Sequence, residues 1–356
     1  MSMVEWKTLG EIANLVRGRV ISKDYIRDNS GEYPVYSSQT ANDGVLGCIN
    51  TYMFDGSYLT WTTDGAYAGT IFRRKGKFNI TNVCGLIDLK ANENILQDYL
   101  YYWLTLTAKG YVSEGMGNPK LMSNVASTIK IPIPSKSEQE RIVSILDTFT
   151  SSISNLKEQI KERRKQYEYY RDQLLDLEGK DGVEMKTLPQ ISKNLDRKRK
   201  AITSTKRVAG LYPYYGASGI VDYVESYIFD GNYLLISEDG ANLIARTTPI
   251  AFSIKGKNWV NNHAHVLEFD NLITQKYVEI YLNHIDLSFW INGAAQPKLN
   301  QENLNKIEFP LPSKQEQLRI VTILDQFEAS IANLEAQLKE REKQYEYYRN
   351  QLLTFE

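Results

Sequence analysis

Residues 162–175 read ERRKQYEYYRDQLL and residues 340–353 read EREKQYEYYRNQLL, a match at 12 of 14 positions. Further upstream, Pro132-x-Pro134-Ser135-Lys136-x-Glu138-Gln139 returns as Pro310-x-Pro312-Ser313-Lys314-x-Glu316-Gln317, an offset of 178 residues. A repeat of this length decides the architecture before any local pattern is considered. One unit, with a charged and aromatic tail, occurs twice in 356 residues.

The tails carry a heptad seam. Ile142, Leu146, Phe149, Ile153, Leu156, Ile160, Arg163, Tyr167, Tyr170 and Leu174 alternate spacings of four and three. Ile320, Leu324, Phe327, Ile331, Leu334, Leu338, Arg341, Tyr345, Tyr348 and Leu352 repeat that spacing. Apolar residues at a and d over more than four heptads predict two coiled-coil helices. Arg163 and Arg341 interrupt the two seams at one equivalent place, where a polar residue fixes register. Ser135-x-x-Glu138 and Ser313-x-x-Glu316 predict capping boxes at the helix starts, each just after two prolines.

Upstream of the tails the repeat is looser. Phe54-Asp55-Gly56 answers to Phe229-Asp230-Gly231, Asp64-Gly65-Ala66 to Asp239-Gly240-Ala241, and Pro119-Lys120-Leu121 to Pro297-Lys298-Leu299. Two globular units have diverged while their tails stayed nearly the same. The expected divisions are 1–136 and 179–314 for the globular units, with helices over 137–178 and 315–356. Strand patterns at Tyr58–Thr62, Phe78–Val83, Leu86–Leu89, Tyr233–Ser237 and Val266–Phe269, with helical patterns at Leu96–Lys109 and Thr274–Leu287, make each unit mixed α/β. The fold class is therefore α+β: two such domains in tandem, separated by long antiparallel helices in a pseudo-twofold internal repeat. The first seam spans about 50 Å at roughly 1.5 Å per residue. The link from Glu178 to Met185 reaches at most about 27 Å. Folding back is the arrangement that buries both seams.

Composition bounds the function. No run of about 18 apolar residues and no secretory leader pattern is present, so the expected location is the cytoplasm, without a membrane role. Cys48 and Cys84 belong to no ligand pattern and read as core thiols. The net charge of −1 does not by itself announce a nucleic-acid binder.

Two globular units, each followed by a repeated helix behind a Pro-x-Pro-Ser-x-x-Glu-Gln element, resemble the DNA specificity subunit of bacterial type I restriction-modification systems across essentially the whole chain. The resemblance implies two target-recognition domains reading an asymmetric bipartite target in double-stranded DNA, one half-site each. It implies two methyltransferase subunits and two restriction subunits as partners. It also places S-adenosylmethionine, ATP and magnesium in those partners, with no cofactor in this chain. The complex would methylate adenine and cut DNA with ATP, and this chain would be non-catalytic.

The residues agree with a chain that lacks chemistry of its own. Gly76-Lys77, Gly179-Lys180 and Gly256-Lys257 are followed by Phe78, Asp181 and Asn258, so no phosphate-binding G-x-x-x-x-G-K-[ST] exists. The motifs N-P-P-[YF], G-x-S-x-G and H-E-x-x-H are absent. His263-Ala-His265 lies in a strand-like run without a neighbouring Cys, so no metal site is expected there.

Candidate DNA contacts fall on turns and loops, where binding residues concentrate. Thr62, Thr63 and Tyr67 flank one Asp-Gly turn, and Glu238, Asn242 and Arg246 surround the other; a bare β-turn explains each as well as a base contact. Asn118 and Gln296 carry amides able to pair with adenine, next to Lys120 and Lys298 for phosphate. Arg73, Arg74 and Lys75, and Arg197 and Lys198, form basic clusters that read equally as phosphate contacts or as a solvated face. The competing function is a coiled-coil scaffold bridging two proteins without DNA, which the near-neutral charge permits.

Overall fold

The computed structural model describes residues 4–91, 94–113, 117–293 and 296–355. Gly115, Met116, Ala294 and Ala295 of the two glycine-containing loops lie outside the described residues. The chain divides into two compact units: residues 1–157 with 336–356, and residues 158–335. Each unit thus combines one globular head with a half of each long helix.

The head of the first unit holds a six-stranded sheet in the order Ala13–Arg17, Cys84–Leu89, Phe54–Thr62, Ile71–Ile80, Ser30–Tyr36, Val45–Ile49. The second head repeats that order with Lys193–Asn194, Ala264–Glu268, Phe229–Ser237, Ala251–Val260, Ala209–Gly216 and Gly219–Val224. Pairing is antiparallel except where Ser30–Tyr36 meets Ile71–Ile80 and Ala209–Gly216 meets Ala251–Val260. A separate two-stranded ribbon joins Glu5–Thr8 to Lys130–Ile133 in one unit and Glu184–Thr187 to Glu308–Leu311 in the other. The repeated Phe-Asp-Gly triplets gain a reason here. A Cβ on Gly56 would meet the Tyr58 ring at 3.1 Å, and one on Gly231 the Tyr233 hydroxyl at 2.8 Å.

The helical patterns become Gln97–Thr107 and Leu272–His284, each bonded through a buried tyrosine to a ribbon carbonyl: Tyr99 donates to Pro132 O (3.0 Å) and Tyr277 to Pro310 O (2.7 Å). The strand expected at Phe78–Val83 instead runs Ile71–Ile80, because a turn closed by Cys84 N to Thr81 O follows it. The basic run Arg73–Lys77 therefore belongs to a strand. The helix Lys23–Asp28 lays Ile26 against Gly47 on the edge hairpin of the first head. In the second head Leu211, Ile220 and Val221 of the matching hairpin are exposed.

The long helices run Lys136–Leu175 and Lys314–Leu352. Their serine caps form, with Glu138 N to Ser135 Oγ and Glu316 N to Ser313 Oγ both at 3.3 Å. The reciprocal arm of the capping box does not. Glu138 and Glu316 turn to Arg141 and Arg319, which grip them through two charge-assisted bonds each, a stronger option than one backbone amide. The motif's glutamine is a buried strut: Gln139 joins Pro134 O to Leu96 N, and Gln317 joins Pro312 O to the Thr274 hydroxyl.

Within each unit the two helices pack antiparallel, as the seam requires. In the first, Phe149 stacks on Tyr348 (5.3 Å) and Arg341 lies over the Phe149 ring. In the second, Tyr170 stacks on Phe327 (5.4 Å) and Arg163 lies over that ring. The charged seam residues are thus accommodated as cation–π partners. Ile142, Leu146, Ile320 and Leu324 are fully buried, whereas Tyr170 and Tyr348 stay near half exposed.

Candidate nucleic-acid interface

Two of the segments singled out in sequence meet in each head. In the first, Gly65 N donates to Pro119 O (3.0 Å) and Leu121 N donates to Thr63 O (2.8 Å), which sets the backbones of Asp64 and Lys120 opposite each other in an antiparallel β-bridge. In the second, Gly240 N donates to Pro297 O (3.0 Å) and Leu299 N donates to Glu238 O (2.8 Å), which sets the backbones of Asp239 and Lys298 opposite each other in the same way. The Asp-Gly turn and the Pro-Lys loop therefore form one composite site with the same backbone joint twice. Gly65 and Gly240 carry φ of +93° and +110°, which only glycine adopts readily, and this lets the turn face the loop.

The side chains on that joint differ between heads. In the first, Tyr67, Asn118 and Lys120 are exposed. Thr62 and Thr63 are buried instead: the Thr62 hydroxyl binds Tyr67 O, and Thr63 receives Arg17 and donates to Asp64. They hold the turn. In the second head Gln296, Lys298, His263 and Asp239 line a pocket at the joint with Gly240, Ala241 and Pro297. His263 Nδ1 lies 2.8 Å from Asp239 and its ring is half exposed.

Beneath that pocket sits a buried ionic network. Glu238 pairs with Arg199 (2.6 Å) and Lys298 (3.2 Å), Asp196 with Arg199 (3.3 Å) and with His265 Nδ1 (2.6 Å). Burial works against the charge on Asp196, yet His265, the Val266 amide and Arg199 hold its carboxyl below the usual range. Burial likewise opposes the charge on Glu238, and Arg199, His265 and Lys298 outweigh it. Asp196, Glu238 and His265 are close enough for a metal ion to be considered. Arg199 and Lys298 already supply cations to both carboxylates, so the set fits an ion-pair network rather than a metal centre.

The remaining candidates divide. Arg197 and Lys198 are exposed on a short turn between Asp196 and Arg199, beside the network and so near the joint. Asn242 bonds Thr247 and Thr248 to fix its own loop. Arg246, at φ +51°, donates to Leu282 O and Ile285 O and closes the end of the Leu272–His284 helix. Arg73 pairs with Asp98 and Asp147 over Tyr101, tying strand to helix. Arg74 is 3% exposed between Tyr36 and Phe72 with Asp43 as its partner. Lys75 is exposed, but it lies toward the opposite end of its strand from the Asp-Gly turn, next to Gly76, which pairs with Gly56. Gly56 stands six residues before Thr62, about 20 Å along the strand. Sequence reading passed over Arg17, counted Arg199 within the basic cluster of Arg197 and Lys198, and weighed the two histidines only as a metal pair; that they replace Val83 and Gly85 of the first repeat was the available signal for a role in the second head alone. Cys84 is buried, and burial pushes its thiol up to about 12, which leaves it inert. Among the described residues no helix is long and apolar enough to cross a membrane.

Comparison with known proteins adds four findings. The family model for the type I restriction modification DNA specificity domain matches residues 1–163 and again 180–343. A Mycoplasma pneumoniae protein named as a type I specificity subunit is 31% identical over 97% of this chain and 96% of its own length. The crystal structure of the S subunit of a type I restriction-modification system from M. genitalium superposes over 100% of this chain and 98% of its own, with a TM-score of 0.72 at 16% identity. A chain from a structure on complex assembly and conformational transition of the type I R-M system follows with a TM-score of 0.57, at 15% identity and over 99% of this chain and 97% of its own.

Proposed function

Because this chain belongs to the DNA specificity subunits of type I restriction-modification systems, we propose that each head reads one half of an asymmetric, bipartite double-stranded target through its turn-and-loop joint. The observation that carries this reading is a shared backbone joint bearing different exposed side chains: Tyr67, Asn118 and Lys120 in one head, Gln296, Lys298 and His263 in the other. A fixed frame with variable polar groups is what base reading requires, since phosphate contacts position a protein and base-edge contacts specify sequence.

The long helices serve as the seat for two methyltransferase subunits, which two restriction subunits join. Their half-exposed tyrosines and repeated surface offer equivalent positions twice. S-adenosylmethionine, ATP and magnesium act in those partners, and this chain contributes recognition and placement without a reacting group. Adenine methylation and ATP-driven cleavage are then the work of the assembled complex.

Exchange of residues 1–136 for those of a relative tests the reading. Methylome sequencing of cells expressing the whole system should show one half of the target changed and the other kept. A change in both halves would refute independent heads. Absence of any sequence-selective, salt-sensitive DNA complex with the methyltransferase would favour a scaffold that only bridges proteins.

A further inference from the structure

The long helices are the same at 28 of 40 aligned positions between 136–175 and 314–353. Their apolar seam is therefore almost blind to whether a helix meets the other repeat or a second copy of itself. Charge supplies the missing distinction. Lys157 and Arg164 of the first helix correspond to Glu335 and Glu342 of the second, at the 178-residue offset of the repeat. These are the two aligned positions where the charge changes sign, and they stand seven residues apart on each helix, so both face the partner from one heptad position.

The structure uses all four charges. In the first unit Lys157 pairs with Glu342 at 3.0 Å, and in the second Arg164 pairs with Glu335. An antiparallel pair of two first helices would set Lys157 against Arg164 of the other copy. Two second helices would set Glu335 against Glu342. We infer that Lys157, Arg164, Glu335 and Glu342 form a pairing code that admits the helix of the unlike repeat and rejects a like one.

The code acts where connectivity cannot. At about 5–20 residues per second the second helix leaves the ribosome roughly 10 to 35 s after the first. During that interval a complete first helix has only like helices on neighbouring nascent chains for company. Each exposed pair contributes a factor of about two to five, and its like-charge counterpart costs as much. Two pairs inverted then change the preference on the order of 16- to 600-fold. The consequence for DNA rests on the function proposed above: unlike pairing joins two different heads, whereas like pairing would join identical heads and give a symmetric target.

The test begins with the intact chain, purified with a protease site placed in the Glu178–Met185 link. After the link is cut, native mass spectrometry records which halves remain together following incubation. Wild-type halves should stay as unlike pairs. K157E/E342K keeps both ion pairs but makes each helix complementary to itself, so its halves should scramble toward a statistical mixture. R164E/E342K places like charges in unlike pairs and opposite charges in like pairs, so its halves should re-sort into like pairs. In 1 M salt, where screening acts within about 3 Å, the preferences should collapse. Scrambling of wild-type halves, or persistence of unlike pairs in both variants, would overturn the code. The masses alone decide the pairing. If they re-sort as expected and methylation in cells does not follow, the DNA reading fails and the code stands.

Discussion

The two heads satisfy one buried carbonyl in two ways. In the first, the Trp61 indole donates to Leu121 O at 2.9 Å; in the second, the His265 ring lies 2.8 Å from Leu299 O through Nε2. The two carbonyls are equivalent in the repeat, but the side chains reaching them stand on neighbouring strands. Trp61 faces Gly85 across the sheet, and Ile236 faces His265 at the same register. Size has moved from one strand to the other. A Cβ on Gly85 would sit 2.3 Å from the Trp61 ring, so glycine is needed there as long as tryptophan is opposite. What must be kept is the backbone joint between turn and loop. How it is propped is open to replacement, provided the volume and the hydrogen bond are both supplied.

The replacement changes the chemistry of the support. Trp61 brings one donor and no charge. His265 brings a second ring nitrogen, and Asp196, Arg199, Glu238 and Lys298 follow. His265→Ala should therefore have the largest effect, because it empties a buried site and leaves Asp196 short of a partner. A destabilisation of about 3–5 kcal/mol is expected for the second unit. Hydrogen exchange measured head by head should show faster exchange in Ala264–Glu268 and its neighbours, with the first unit unchanged. Equal protection in mutant and wild type would show that the network is decoration on a joint held by backbone alone.

Acid should separate the heads in the same sense, less strongly. Asp196 and Glu238 are held below their usual values of 3.8 and 4.5 in the folded chain. A depressed folded value means that the stabilisation is present above about pH 4 and is lost as pH falls through the folded values. In the first unit the carboxylate opposite the buried Arg74, Asp43, is largely exposed, so its pairing contributes less. Protection factors, corrected for the intrinsic pH dependence of amide exchange, should fall earlier in the second head as the pH is lowered from 6 to 3. Parallel loss in both would sink the assignment of this network as the difference.

The contrast also explains what could be read in advance. The repeat, both long helices and their antiparallel pairing were legible, because heptad spacing is a local signal repeated many times. The Asp-Gly turns and Pro-Lys loops were visible as segments, yet not as one site, since Gly65 meets Pro119 and Gly240 meets Pro297 across more than fifty residues. His265 looked like strand filler because its partner Asp196 lies 69 residues away. Arg73 and Arg74 looked like a basic patch for the same reason. Their carboxylates, Asp147 and Asp43, are 74 and 31 residues distant, and only the fold brings each arginine to its partner. Side chains with local causes are legible from sequence; those with remote partners are not.

The smallest effect concerns the lysines of the joint. Lys120 and Lys298 occupy equivalent places, but Lys298 stands 3.2 Å from Glu238, which offsets part of its charge. Either lysine replaced by Ala should weaken DNA binding evenly across sequences and reduce the salt slope by about one, as for one lost phosphate contact. Lys120→Ala should have the larger effect, because removing Lys298 also leaves Glu238 to Arg199 and His265 and changes local charge less cleanly. Binding titrations at several salt concentrations, made with the methyltransferase complex, measure both slopes. If the two variants lose equal affinity, Lys298 releases Glu238 when DNA arrives and the two heads meet phosphate alike. If Lys298→Ala changes sequence preference as well, the Glu238 carboxylate that it frees is itself close enough to the bases to read them.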